Sequence, residues 1–264
     1  MAKAYEELEL KDDFMFSVIM RDPKYVKPFL ETILRIKIAK IEYPEVQKNI
    51  DIAKGIRLDV YVEDEKHTVF NLEMQTTTAR NLPKRMRYYQ GMIDLNILEK
   101  GDDYNHLKKS YVIFICTFDP FGLGRHIYTF ENRCSEDIAL TLNDGTVKII
   151  LNTKGTLDDV SPEMKRLLDY VDGKGVSDTF TRDLEEAVQS ARQNEKWRLD
   201  YMTLQQEYRE RFQEGKAEGI KEGKIEGKIE TLYEELHMTV VEIAEKLAIS
   251  EEEVQRIVDA LEKD

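Results

Sequence analysis

Residues 56–75 read IRLDVYVEDEKHTVFNLEMQ. Two alternations meet in that stretch. Ile56, Leu58, Val60 and Val62 fall on one side of the first segment and Arg57, Asp59 and Tyr61 on the other, which is the two-residue period of a strand. After a polar turn at 63–66, Phe70, Leu72 and Met74 share one face with Asn71, Glu73 and Gln75 opposite, so the pair reads as a hairpin. Asp59, Glu73 and Gln75 are the polar members of otherwise apolar strands, and alternation sets all three on one face. With the turn centred near Glu65 and Lys66, Asp59 lies across from Asn71 or Glu73, at the ~5 Å Cβ separation of cross-strand neighbours. Two carboxylates that close repel. A divalent cation relieves the repulsion, and Mg²⁺ is typically held by one or two carboxylates with substrate phosphate and water. A solvent-facing polar side, where Asp and Glu are common, is the other reading, and spacing alone does not separate the two.

Helical periods flank the hairpin. Before it, Phe14, Val18 and Ile19, then Val26, Phe29, Leu30, Ile33 and Leu34, recur at three- and four-residue steps and predict two short helices broken near Asp22-Pro23. After it, Met86, Tyr89, Ile93 and Ile97 give a helix over 82–100, with Gly101 as its stop. The run KKSYVIFICTF (108–118) is apolar on both faces, as expected of a central strand covered on each side. Residues 127–130 and 147–151 are further strands, and Ser161-Pro162-Glu163 opens another helix with Pro in its first turn. This order predicts an α/β fold with a mixed central sheet flanked by helices.

From Arg182 to about Leu236 no strand signal and no proline occurs, and one long helical extension is the simplest reading. Within it Gly215, Gly219, Gly223 and Gly227 stand four apart. Each costs a helix ~1 kcal/mol relative to alanine. A four-residue step drifts ~40° around the helix, so the glycines wrap slowly. Both a flexible helical spacer and a close-packed dimer stripe fit them, and the latter expects a homo-oligomer through this helix. Thr239 with Glu242 and Ser250 with Glu253 form two capping boxes, giving a small helix-turn-helix-like hairpin at 237–264. Residues 231–264 hold three basic residues against ten acidic, so this end is expected to pack or bind a partner rather than read DNA. The expected division is a core at 1–175, a long helix at 176–236 and the acidic hairpin at 237–264.

The 264 residues carry a net charge of −13, but unevenly. Up to residue 155 there are 23 basic and 24 acidic residues, and beyond it 16 and 28. A near-neutral first part can still present a local basic face to a polyanion. With 41% hydrophobic and 34% charged residues, neither wholesale disorder nor a fibre is expected. No apolar run approaches the ~18 residues of a membrane span. The acidic start MAKAYEELEL lacks the form of a secretory signal, so a cytoplasmic protein is expected. Cys116 and Cys134 have no metal-ligand spacing, and His67, His106, His126 and His237 are scattered, so any metal should be held by oxygen.

The pattern D-V-Y-V, a turn, then N-L-E-M-Q resembles the PD-(D/E)XK nuclease signature, in which a strand Asp is followed across a hairpin by E-x-K, here E-x-Q. With D-D-F-M-F (12–16), K-R-M-R-Y-Y-Q (84–90), S-Y-V-I-F-I-C-T-F-D-P-F-G (110–122) and the Gly-rich tail, the chain is similar over roughly residues 5–230 to the Rpn family of recombination-promoting nucleases, also described as PD-(D/E)XK family transposases. The resemblance implies a restriction-endonuclease-like core and a metal-dependent DNA endonuclease acting in recombination or transposition. It implies Asp59 and Glu73 as ligands of Mg²⁺, or Mn²⁺ in its place, which acidifies and orients a water for in-line attack on the phosphodiester. Gln75 stands where the wider superfamily has Lys; without a titratable proton it can orient a water or the phosphate but cannot act as a base. Asp13 matches an acidic family position and would complete the metal site, though a helix-start Asp is equally explained as a cap. Arg80, Lys84, Arg85, Arg87 and Tyr88 are the expected DNA-binding residues, positioning a duplex through its phosphates. A solvated basic turn with Tyr89 in the core is the alternative. The rival to the enzyme is a non-catalytic assembly or regulatory module acting through its helical tail.

Overall fold

The alternating segments do pair as a hairpin, β2 (Val60–Asp64) with β3 (Val69–Gln75), in antiparallel register with Val60 opposite Leu72 and Tyr61 opposite Asn71. The structure is a computed structural model describing residues 3–42, 59–78 and 81–261. The expected strand positions Ile56, Arg57 and Leu58 lie outside the described residues. The hairpin turn is closed by Asp64, whose Oδ1 accepts from the N–H groups of Lys66 (2.9 Å) and Thr68 (2.8 Å).

Among the described residues six strands form one mixed sheet in the order β1-β2-β3-β4-β6-β5. β1 (Ile41–Glu42) pairs with β2; β4 (Ser110–Cys116) is central and parallel to both β3 and β6 (Thr146–Asn152); β5 (Ile127–Phe130) closes the edge antiparallel to β6. Two consecutive parallel strands need a crossover, which α3 (Leu82–Ile97) supplies. α3 lays Met86, Tyr89 and Ile93 against Val69, Val112, Phe114 and Cys116 of the sheet. Each such buried side chain contributes ~1.5–3 kcal/mol. The alternate positions Phe70, Leu72, Met74, Ile113 and Ile115 are buried too, so β3 and β4 are covered on both faces.

The opening layer breaks where expected. α1 (Asp13–Ile19) ends, and Asp22 restarts the chain by accepting from Lys24 N–H at 2.8 Å with Pro23 in the first turn of α2 (Pro23–Leu34). α1 contacts β3, and its Phe16 meets Phe29 of α2 edge-on at 6.0 Å. α4 (Pro162–Val171) begins at Ser161, whose hydroxyl accepts from Met164 N–H at 3.3 Å.

The single long helix expected from Arg182 is two helices, α5 (Thr179–Arg192) and α6 (Glu195–Glu230). Asn194 causes the break: its side chain accepts from Trp197 N–H at 3.1 Å and starts a new helix there. α5 buries Leu184, Val188 and Ala191, and its end is tied to the N-terminal segment by Tyr5 Oη donating to Ala191 O and Arg192 Nε donating to Leu8 O at 2.9 Å.

Contacts divide the chain into two compact units, Met1–Arg198 and Leu199–Asp264. In the second, α6 runs on through a wider turn at Thr231–Glu235, followed by α7 (Val240–Leu247) and α8 (Glu251–Leu261). Ile229, Leu232, Ile243, Val254 and Val258 form its core. Thr239 and Glu242 close their capping box reciprocally, and Ser250 Oγ accepts from Glu253 N–H at 3.2 Å. A Cβ added at Gly215, Gly219, Gly223 or Gly227 would meet nothing within 4 Å. Among the described residues no helix is long and apolar enough to cross a membrane.

Candidate active site

Alternation along β3 points Asn71, Glu73 and Gln75 to the same side as Val69, the side covered by α3. They are buried rather than solvent-facing: Glu73 is 2% exposed and Asn71 fully enclosed. One step beyond the Val60–Leu72 pair, the register puts Asp59 beside Glu73. The two are cross-linked. Asp59 N–H donates to Glu73 Oε1 at 3.1 Å, and Asp59 Oδ2 accepts from Met74 N–H at 3.0 Å. Asn71 Nδ2 also donates to Glu73 Oε1 at 3.1 Å, which leaves Asn71 Oδ1 buried with no partner among the described residues.

Burial, and after it the Asp59 charge, raises the Glu73 carboxyl well above the ordinary glutamate range; the bonds from Asn71 and Asp59 N–H and the Arg85 charge only partly oppose this. A buried acid beside another carboxylate is a charge arrangement that a cation relieves. The donors are carboxylate oxygens, with no thiol or imidazole, which suits Mg²⁺ or Mn²⁺. Among the described residues no group of three or more His, Cys, Asp or Glu converges on one point. The pair by itself offers carboxylate oxygens that could hold a divalent cation together with water and substrate oxygens.

Gln75 has both polar ends engaged: Nε2 donates to Met74 O at 2.7 Å and Oε1 accepts from Arg85 Nη1 at 2.6 Å. Arg85, in the first turn of α3, also donates through Nη2 to Tyr89 Oη at 3.0 Å, and its guanidinium lies 5.6 Å from the Tyr89 ring centroid and 5.5 Å from that of Phe114. Asp13 opens α1, but Asp12 is the residue in the cap position. Desolvation of its carboxyl and then the Asp12 charge raise the Asp13 pKa, with the Arg85 charge acting the other way. Asp13 thus shares the field of Arg85 with Glu73 without joining the pair in a three-ligand cluster.

The expected DNA-binding residues separate. Lys84 and Arg87 are exposed on α3, while Tyr88 is partly buried and packs against the core under that helix. Arg80 lies outside the described residues. Arg85 turns inward to the carboxylates. One member of the site was not singled out from sequence, Asn71, which anchors Glu73; Tyr89, named either with the basic group or in the core, is buried in the core and anchors Arg85. Each carries a positional signal, Asn71 two residues from Glu73 on one strand face and Tyr89 four residues from Arg85 on one helix face.

Residues 11–136 match the family model described as PD-(D/E)XK nuclease family transposase. This segment runs from α1 through β5 and holds Asp59, Glu73, Gln75 and Arg85, so the expected family resemblance is borne out over it, as is the mixed-sheet core. No curated protein and no solved structure matches the chain.

Proposed function

We propose that this chain, whose residues 11–136 match a nuclease and transposase family, is a divalent-metal-dependent DNA endonuclease. The observation that carries the reading is the Asp59–Glu73 pair, two carboxylates just before β2 and on β3 held side by side, Glu73 by the Asp59 N–H and Asp59 by the Met74 N–H. A bound Mg²⁺, or Mn²⁺, would supply the acidified water and the charge compensation that phosphodiester hydrolysis needs. The chain's own contribution is to hold the two acidic side chains at fixed spacing, to keep Glu73 ready to lose a proton when a cation arrives, and to exclude bulk water from the α3 side. Exposed Lys84 and Arg87 would then engage the DNA backbone beside the site without reading sequence. A role in transposition accords with the family's description, and a role in recombination is proposed beside it.

The test is conversion of supercoiled plasmid with Mg²⁺ by the wild type, Asp59→Ala and Glu73→Ala, each checked for an intact thermal transition. Cleavage lost in both variants supports the reading, and identical behaviour of all three removes it.

A second reading, assembly through the helical tail, is favoured by α6, where Met202 (56%), Tyr208 (55%) and Phe212 (71%) stand exposed. It proposes a homo-oligomer joined along that helix.

A further inference from the structure

Arg85 is a partly buried guanidinium whose hydrogen-bond partners among the described residues, Gln75 Oε1 and Tyr89 Oη, are both neutral. A side chain drawn under protein normally meets a carboxylate that cancels its charge. Here the guanidinium feels the charge of Glu73 on β3, beside Asp59 just before β2, yet Gln75 takes the bond. The guanidinium therefore keeps its full charge next to the carboxylate pair. Among the described residues two of its five N–H donors are engaged, and the others are available to an anion. The Tyr89 and Phe114 rings flank it and limit the directions it can take.

Resting on the nuclease reading above, we infer that Arg85 is the residue that binds the scissile phosphate, delivered from α3, and that Gln75 is a positioning residue whose amide oxygen aims it. This accounts for the amide at residue 75. A lysine there would place a second cation against the guanidinium, whereas an amide oxygen accepts from it. The positive charge that the E-x-K pattern carries on the strand is here carried on the following helix. In the substrate complex the remaining N–H groups of Arg85 donate to a non-bridging phosphate oxygen, where charge grows as the bond to the leaving oxygen breaks.

Two measurements test it. The first is the affinity of the full-length protein for a short labelled duplex in EDTA, which does not depend on cleavage. Arg85→Ala is expected to weaken binding about tenfold, as for loss of a charge-assisted contact, and Arg85→Lys to weaken it less. The second is plasmid nicking in Mg²⁺. Arg85→Ala is expected to slow it roughly 10²-fold, and adding Gln75→Lys to Arg85→Ala is expected to recover about tenfold of that loss, because the charge returns on the strand. Gln75→Lys with Arg85 intact is expected to be slower than wild type. A merely structural Arg85 would not be rescued by a lysine at residue 75. If Arg85→Ala melts as the wild type does and leaves duplex affinity and nicking unchanged, the inference is overturned while the nuclease reading stands. If the wild type fails to nick, the nuclease reading falls, and duplex affinity alone decides whether Arg85 binds phosphate.

Discussion

Arg85 Nη1 lies 2.6 Å from Gln75 Oε1, which joins the end of β3 to the first turn of α3. The link fixes this guanidinium relative to the strand that bears Glu73. It also means that neither Gln75 nor Arg85 can be altered without moving the other, so single substitutions at these positions are coupled.

Asp59→Asn and Glu73→Gln are expected to lower plasmid nicking by roughly 10²- to 10³-fold, the usual scale for removing one element of transition-state charge stabilisation. Without metal the same Glu73→Gln change should raise thermal stability by about 1 kcal/mol or more, because a buried acid beside Asp59 is replaced by a neutral group of equal size. Calorimetry in EDTA checks the sign.

The raised Glu73 carboxyl sets a pH dependence. In the folded chain it keeps its proton at pH values where the unfolded chain, near the ordinary value of 4.5, has released it. Its contribution to stability is therefore fully present below that value and is lost as pH rises toward the higher folded pKa. Metal-free wild type should lose stability over that window relative to Glu73→Gln, and cation affinity should strengthen across it as the proton leaves. Melting curves against pH, with and without Mg²⁺, read both.

Gly219→Ala and Gly223→Ala place a methyl group in open space on α6, so each should raise helix stability by about 1 kcal/mol in the isolated chain. If copies associate along that face, the same substitutions should lower the mass seen in light scattering. Helicity by circular dichroism and mass by scattering separate the spacer from the stripe.

Truncation after Arg198 should leave the first unit with a cooperative thermal transition, because α5 and its ties to Leu8 and Tyr5 are retained. Truncation after residue 180 removes the buried Leu184, Val188 and Ala191 and should abolish that transition. An oligomer built through α6 should become monomeric in the longer truncation.

The hairpin was legible because a period of two with polar residues on one face admits a single register, and a central strand such as β4 declares itself by being apolar on both faces. The α1–α2 break was legible from Asp22-Pro23. The break at Asn194 was not, since an asparagine within charged helix formers reads as interior until its side chain is seen to cap Trp197. Within the site, the proximity of Asp59 and Glu73 followed from alternation. The inward turn of Arg85 did not, because a basic residue beside Lys84 and Arg87 reads as surface, and only the packing of α3 on Phe114 decides which of the three faces the sheet.

The bonds that lock Asp59 to β3 come from main-chain N–H groups, those of Asp59 itself and of Met74. Every residue except proline carries that donor, so side chains around the pair can be exchanged through evolutionary drift without dislodging it. A lineage could thereby remodel the surface that meets its target and keep the reactive spacing intact, with proline at residue 74 among the few changes barred outright.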